Sequence, residues 1–226
     1  MATHKSAQQR MDFDKPGSLR GPSSSTILGA TVWLDSETNE IRRVEGLITF
    51  PGTKTPKDAA DRFLSSSLGF SLQNNKTTFI ALSRETESLS GTQLLYQVYF
   101  GNTDVPGGLP ILGSTVTVFL NPDNGIAVVT NNAVKITKPV RIRSSELLDA
   151  QAAEDAARRE LSKEGGQARK FTNAVLGVVI RKGEPIPVRM MYQLMTTPSG
   201  VLEIILSART GEILSMGNVA QYAWNR

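Results

Sequence analysis

The sequence predicts an α+β fold with two tandem domains, each a curled antiparallel sheet packed on one main helix. Two segments with helical periodicity, 55–69 and 144–166, are each followed by about four consecutive strand patterns. Strands that follow one another without intervening helices favour antiparallel pairing, and the single helix then covers one face of the sheet. The same order of elements therefore occurs twice along the chain.

The chain has 226 residues, enough for one large domain or two small ones. Residues 1–26 are polar and poor in branched apolar side chains, so they cannot bury enough surface to offset the entropy of ordering. We therefore expect a flexible tail at 1–26, a first domain at 27–137, and a second domain at 138–226 that ends in a C-terminal tail.

The first helix has a clear beginning. Thr55 is a good N-cap, Pro56 suits the first helical position, and Asp58 lies in the first turn. We expect the helix to end at Gly69. Its predicted apolar face consists of Ala60, Phe63, Leu64 and Leu68.

The second helix is expected to begin after Ser144 or Ser145 and to end at Gly165-Gly166. Its predicted apolar face consists of Leu148, Ala152, Ala156 and Leu161.

Strand patterns occupy the rest of the chain. They lie at 27–35, 41–50, 77–85, 93–100, 111–120 and 125–130, then at 173–181, 188–196, 201–208 and 212–217. The turn Asn121–Gly125 contains Pro122 near its start, and Gly125 is able to take a positive φ. The stretch 101–112 holds three glycines and two prolines, which suit either a ligand cradle or the bend of a hairpin.

Composition argues against an enzyme. The chain has no cysteine and one histidine, His4, so it lacks the two histidines of a zinc peptidase motif and the base of a serine triad outside the predicted tail. The stretch 46–55 lacks the spacing of a phosphate-binding loop. The sequence therefore predicts no catalytic residue, no cofactor and no metal site.

Charge and hydropathy bear on partners. The net charge is only +4, and the tightest basic group, Lys135, Lys138, Arg141 and Arg143, has few aromatic residues near it in sequence. Nucleic-acid binding usually requires a denser basic surface with stacking aromatics. No run of about 18 apolar residues suits a membrane span, and 1–26 contains no apolar signal segment. We expect neither a nucleic acid nor a membrane as partner.

Strand 93–100 alternates in character, so Tyr96 and Val98 share one face while Gln97 and Tyr99 share the other. One face is predicted to be core. The other is either merely half-exposed or a contact surface.

The segment 96–132 resembles the core of the fungalysin/thermolysin propeptide domain. The residues that carry the resemblance are Gln97, Tyr99 and Gly101, then Pro110, Ile111 and Gly113, then Asp123 and Gly125. The second half resembles the PepSY domain in its Ala-rich helix 150–161, in Tyr192 and in the segment 206–214. The resemblance implies a cystatin-like or PepSY-like arrangement of sheet and helix.

Three features depart from the family pattern. Residues Asn102–Gly108 are an insertion of about seven residues before the Leu-Pro turn, relative to family members. Ser207 stands where an aspartate is usual, and no zinc peptidase domain follows within the 226 residues.

The resemblance implies a non-catalytic protein that inhibits a thermolysin-like zinc metallopeptidase domain, assists its folding, or does both, in cis or in trans. It implies a secreted or periplasmic location and a C-terminal segment, 215–226, that leads into the peptidase cleft; a frayed terminus is the other interpretation of that segment. The predicted partner-binding residues are Gln97, Tyr99, Pro110, Gly113, Val219, Tyr222 and Trp224. The alternative function is a stand-alone binding or assembly module, with a homo-oligomer as its partner state.

Overall fold

The computed structural model describes residues 23–27, 30–36, 40–65, 77–163, 171–172, 174–196 and 199–219. These residues form a sheet-rich α+β fold, which confirms the predicted class. Within them are the helices α1 (Pro56–Ser65) and α2 (Ala150–Lys163) and a 3-10 turn at Ser144–Glu146. No helix among them is long and apolar enough to cross a membrane.

The chain divides into two compact units. The N-terminal unit contains the described residues up to Asn102 together with Pro110–Lys135. The C-terminal unit contains Thr103–Leu109 and the described residues from Ile136 onward. Thr103–Leu109, which the sequence assigns to the first domain, therefore groups with the C-terminal unit; whether the units are independent domains stays a prediction.

Seven strands form the N-terminal unit. They are β1 (Ser23–Ile27), β2 (Ala30–Leu34), β3 (Ile41–Ile48), β4 (Thr78–Ser88), β5 (Gly91–Phe100), β6 (Leu109–Leu120) and β7 (Ile126–Asn131). Their order is β1-β2-β3-β7-β6, with β5 beside β6 and β4 beside β5. β1 differs from the prediction, because four of its residues fall in the range assigned to the flexible tail.

Helix α1 forms where the sequence predicts it. The backbone N–H of Asp58 donates to the Thr55 hydroxyl at 3.1 Å, so Thr55 is the N-cap. The side chains that it buries are Ala59, Ala60, Phe63 and Leu64. They join inward-facing residues of β5 and β6, including Leu94 and Val118, in the core of this unit. Predicted residues Leu68 and Gly69 lie outside the described residues.

In the turn Asn121–Gly125, an asparagine takes the left-handed conformation. The positive φ, 61°, belongs to Asn124 and not to Gly125. Asparagine tolerates this region because its short amide can bond locally. A Cβ at 125 would lie 2.5 Å from Cδ1 of Leu47, an exposed side chain that would have to move.

The C-terminal unit is an antiparallel meander. Its strands β8 (Val175–Arg181), β9 (Glu184–Thr196), β10 (Ser199–Ser207) and β11 (Ile213–Val219) pair in that order. The β8–β9 connection is a two-residue turn, Lys182-Gly183, with both φ values positive, which matches the twist of a hairpin. It is shorter than the interval 182–187 between the two predicted strand patterns, because Pro185 and Pro187 are already paired in β9.

Helix α2 begins later than predicted. Asp149, and neither Ser144 nor Ser145, caps it by accepting a hydrogen bond from the backbone N–H of Ala152 at 2.7 Å. Leu148 lies outside the helix, because its N–H donates to the carbonyl of Ala208 at 2.7 Å. The core beneath α2 consists of Ala153, Ala157, Leu161, Phe171, Met191, Ile204 and Leu206.

Candidate protein-binding site

Strand β5 shows the predicted alternation. Tyr96 and Val98 are buried, while Gln97 and Tyr99 are half-buried on the other face. The phenol of Tyr96 donates to Oδ1 of Asp61 on α1 at 3.0 Å. Burial, helped by the negative charge of Asp61, raises the pKa of Tyr96 well above its ordinary value, so the phenol stays a neutral donor. This face of β5 is core.

Gln97 joins β5 to β6. Its side-chain amide Nε2 donates to the carbonyl oxygens of Ile111 at 2.8 Å and Ser114 at 2.9 Å. Those carbonyls flank Gly113, whose φ is 76°. A left-handed residue bends the strand and takes backbone groups out of the regular ladder. The Gln97 amide hydrogen-bonds two of these carbonyls. Gln97 and Gly113 therefore contribute to the same local structure, the bend of β6.

Tyr99 stacks on its cross-strand partner. Phe79 and Tyr99 are paired across β4 and β5, and their ring centroids lie 5.2 Å apart with the planes 8° from parallel. Phe79 is 39% exposed. Among the described residues, β4 pairs only with β5. An accessible aromatic pair therefore lies beside a strand edge.

The glycine-rich loop after β5 is a folded structure and not only a bend. Gly101 begins it by donating its N–H to the Thr77 carbonyl at 2.7 Å, and Gly107 and Gly108 both adopt positive φ near its end. Between them Thr103 forms a bridge with Ile142, and Oδ1 of Asp104 accepts a hydrogen bond from the Ser144 N–H at 2.5 Å. The loop thus fastens the 3-10 turn.

That hydrogen bond changes the pKa of the Asp104 carboxyl group. Donation from the Ser144 backbone N–H stabilises the carboxylate and lowers the pKa of Asp104, with a smaller contribution from Arg141. This contact could not be predicted from local sequence patterns, because Asp104 and Ser144 are 40 positions apart.

The remaining predicted contact residues lie in different places. Pro110 is half-buried in β6. Val219 belongs to the C-terminal unit, where it ends β11 opposite Val201 of β10. Tyr222 and Trp224 lie outside the described residues. The structure therefore places Gln97 against the carbonyls on either side of Gly113, and contact of these residues with a partner stays a prediction.

The segment that resembles PepSY forms a tight turn after β10. The Ser207 hydroxyl accepts hydrogen bonds from the backbone N–H groups of Arg209 and Thr210 at 3.3 and 3.2 Å. Serine thus performs the local acceptor role that an aspartate would perform in this turn. A Cβ on Gly211 would lie 2.7 Å from Cβ of Ala156, so the turn packs directly on α2.

Burial also affects Tyr192 and the ion pair of Arg42 and Asp35. Burial raises the pKa of Tyr192, the remaining residue of the PepSY resemblance, to about 12. Arg42 and Asp35 form a buried ion pair with Nε–Oδ2 at 3.0 Å, and neither partner is more than 5% exposed. The described residues contain no group of three or more His, Cys, Asp or Glu side chains placed to hold a metal ion.

No model of a protein family matches the chain, and no curated protein matches it. Among solved structures, the chain is similar to the Bacillus megaterium YpeB C-terminal domain, with a TM-score of 0.32 and 11% sequence identity over 90% of each chain.

Proposed function

We propose that the chain is a non-catalytic protein-binding module whose partner is a thermolysin-like zinc metallopeptidase domain, which it inhibits, helps to fold, or both. The observation that carries the proposal is the stacked pair of Phe79 and Tyr99 on the accessible face of β4 and β5. Tyr99 is also a residue of the propeptide motif. Exposed aromatic side chains on a rigid sheet are typical anchors of protein interfaces.

The strand edge next to the pair suits a partner backbone. Backbone groups of β4 that do not face β5 can hydrogen-bond an added strand, and Phe79 would then contact the partner's side chains. A register shift between Leu82 and Arg84 limits the regular part of this edge to its first half, where Phe79 lies. The proposed contact therefore centres on Phe79.

Intramolecular roles of the motif residues support the resemblance on which the partner is named. The glutamine and the second glycine of the propeptide motif, Gln97 and Gly113, act together in the bend of β6. A pattern that spans two strands is expected when its residues depend on one another in the fold. This supports a shared fold for 77–131 and, by extension, a shared type of partner.

The alternative is self-assembly through the same edge, since edge strands pair readily with copies of themselves. Size-exclusion chromatography with light scattering distinguishes the two. A stable homo-oligomer that dissociates in the variant Phe79→Lys would favour assembly. A monomer that binds the peptidase would favour the leading proposal.

The direct test is an inhibition and refolding assay. Purified protein at micromolar concentration is mixed with thermolysin, and with a thermolysin-like domain encoded in the same genome, before and after denaturation of the enzyme. We expect slower substrate hydrolysis or a higher refolding yield. The variants Phe79→Ser and Tyr99→Ser should weaken the effect roughly tenfold or more, as loss of an interface anchor does. Gln93→Ser, on the same strand, is the control.

A further inference from the structure

An exposed basic segment of the C-terminal unit is held by backbone contacts at both of its ends. This segment, residues 138–143, reads KPVRIR and is called the basic strap. Lys138, Arg141 and Arg143 are exposed, whereas Ile142 between the two arginines is fully buried. The strap contains three cations and no acidic residue. It is neither a strand nor a helix, yet its position is defined.

The strap is fastened at its first end by the tip of the β8–β9 hairpin. The carbonyl of Gly183 accepts hydrogen bonds from the N–H groups of Thr137 at 2.9 Å and Lys138 at 3.0 Å. The approach is close, since a Cβ on Gly183 would lie 1.8 Å from Oγ1 of Thr137. A side chain at 183 would therefore force Thr137 to move.

The other end is fastened by the inserted loop. Thr103 bridges Ile142, and the carboxylate of Asp104 accepts the Ser144 N–H at 2.5 Å. Arg143 has extended dihedral angles, φ −102° and ψ 135°. The resemblance does not explain the inserted loop. Its contacts with Ile142 and Ser144 hold the strap in position.

The charged groups of the strap are accessible to a partner. Among the described residues, no carboxylate lies within 4.0 Å of the charged groups of Lys138, Arg141 or Arg143. Asp104 is the acidic side chain that attracts Arg141, and its carboxylate is already bonded to the backbone of Ser144. Backbone bonds therefore fix the strap while its charges remain in solvent.

We propose that the basic strap is a preformed docking surface for an acidic segment of a partner protein. Positive charges on a rigid backbone select an acidic partner and lose little entropy when it binds. Val140, 39% exposed, lies between Lys138 and Arg141 and offers an apolar contact that suits a polypeptide. The strap has no aromatic side chain to stack on bases, which disfavours a nucleic acid. This goes beyond the proposed function and does not depend on it.

The test uses fluorescently labelled poly-L-glutamate as the probe, with the full chain, at low and physiological salt. The variant Arg141→Glu/Arg143→Glu should bind the probe at least ~10-fold more weakly, because steering and contact charges are both reversed. The matched control Arg84→Glu/Arg159→Glu makes the same change of net charge at exposed positions on β4 and α2, and should lose less than ~3-fold. Equal losses in the two variants would overturn the proposal.

Two further measurements test the class of partner and the role of the loop in holding the strap. Tighter binding of duplex DNA or of phosphatidylserine vesicles than of poly-L-glutamate at equal salt would overturn the assignment of a protein partner. Asp104→Ala removes one negative charge but releases the strap, so a preformed surface predicts weaker binding. Stronger binding by Asp104→Ala would show that charge alone acts and would overturn the role of the loop.

Discussion

The side-chain amide of Gln97 donates a 2.9 Å hydrogen bond to the carbonyl of Ser114 and a 2.8 Å bond to that of Ile111. Replacement by leucine removes the donors and keeps the approximate volume. We expect Gln97→Leu to lower the free energy of unfolding by about 1–3 kcal/mol, because a partly buried carbonyl is left without a partner. Urea unfolding measures it. Gln93→Leu, exposed on the same strand, should cost far less; equal costs would contradict the role given to Gln97.

Two glycines of the N-terminal unit should respond differently to alanine. Gly113 has φ 76° and open space where a Cβ would be, so Gly113→Ala should cost only backbone strain, about 1–2 kcal/mol. Gly91 has φ 137°, and its Cβ would lie 1.9 Å from the Leu120 carbonyl oxygen. We expect Gly91→Ala to cost more than about 3 kcal/mol or to prevent folding. Thermal unfolding distinguishes them, and a reversed order would refute the explanation.

Removing one partner of the buried ion pair between Arg42 and Asp35 should destabilise the fold. Arg42→Met leaves the Asp35 carboxylate buried without its cation, which should cost about 3–5 kcal/mol. Arg43→Met is the matched control, since Arg43 pairs with Glu45 near the surface and should cost at most about 1 kcal/mol. Denaturant unfolding of both variants tests this, and a second change, Asp35→Leu, should restore part of the loss.

Asp104 should titrate below an ordinary aspartate. Its folded pKa is lowered by the Ser144 N–H, so this interaction contributes stability above the unfolded pKa, near 3.8, and the contribution is lost as pH falls through the lower folded value. Carboxyl NMR titration measures the pKa directly. Ser144→Pro removes the N–H at a first helical position that proline fits, and should return the pKa toward 3.8.

The control for that titration is Ser144→Ala, which keeps the backbone donor. It should preserve most of the lowered pKa of Asp104. An unchanged pKa in Ser144→Pro would show that the backbone bond is not its main cause.

Local signals in the sequence were sufficient for much of the fold. Thr55 and Pro56 are adjacent to the helix that they begin, and β5 has a strict alternation, so both predictions are confirmed. The predicted start of α2 was wrong, because the segment Ser144–Glu146 forms only one 3-10 turn. The backbone then bonds to Ala208, a contact distant in sequence.

The candidate site was harder to predict, for the same reason. Alternation placed Gln97 and Tyr99 on one face but could not distinguish an amide that bonds Ser114 from one that faces a partner. Phe79 was missed as the stacking partner of Tyr99, since pairing register is not visible in either strand alone. Asp104 was missed because its partner lies 40 positions later.

The measurement that tests the central claim most directly is inhibition of a thermolysin-like peptidase by the purified chain. The account predicts saturable inhibition or assisted refolding at micromolar protein, weakened roughly tenfold or more by Tyr99→Ser and Phe79→Ser and unaffected by Gln93→Ser. The absence of any effect on activity and on refolding, with both thermolysin and the peptidase domain from the same genome, would contradict it.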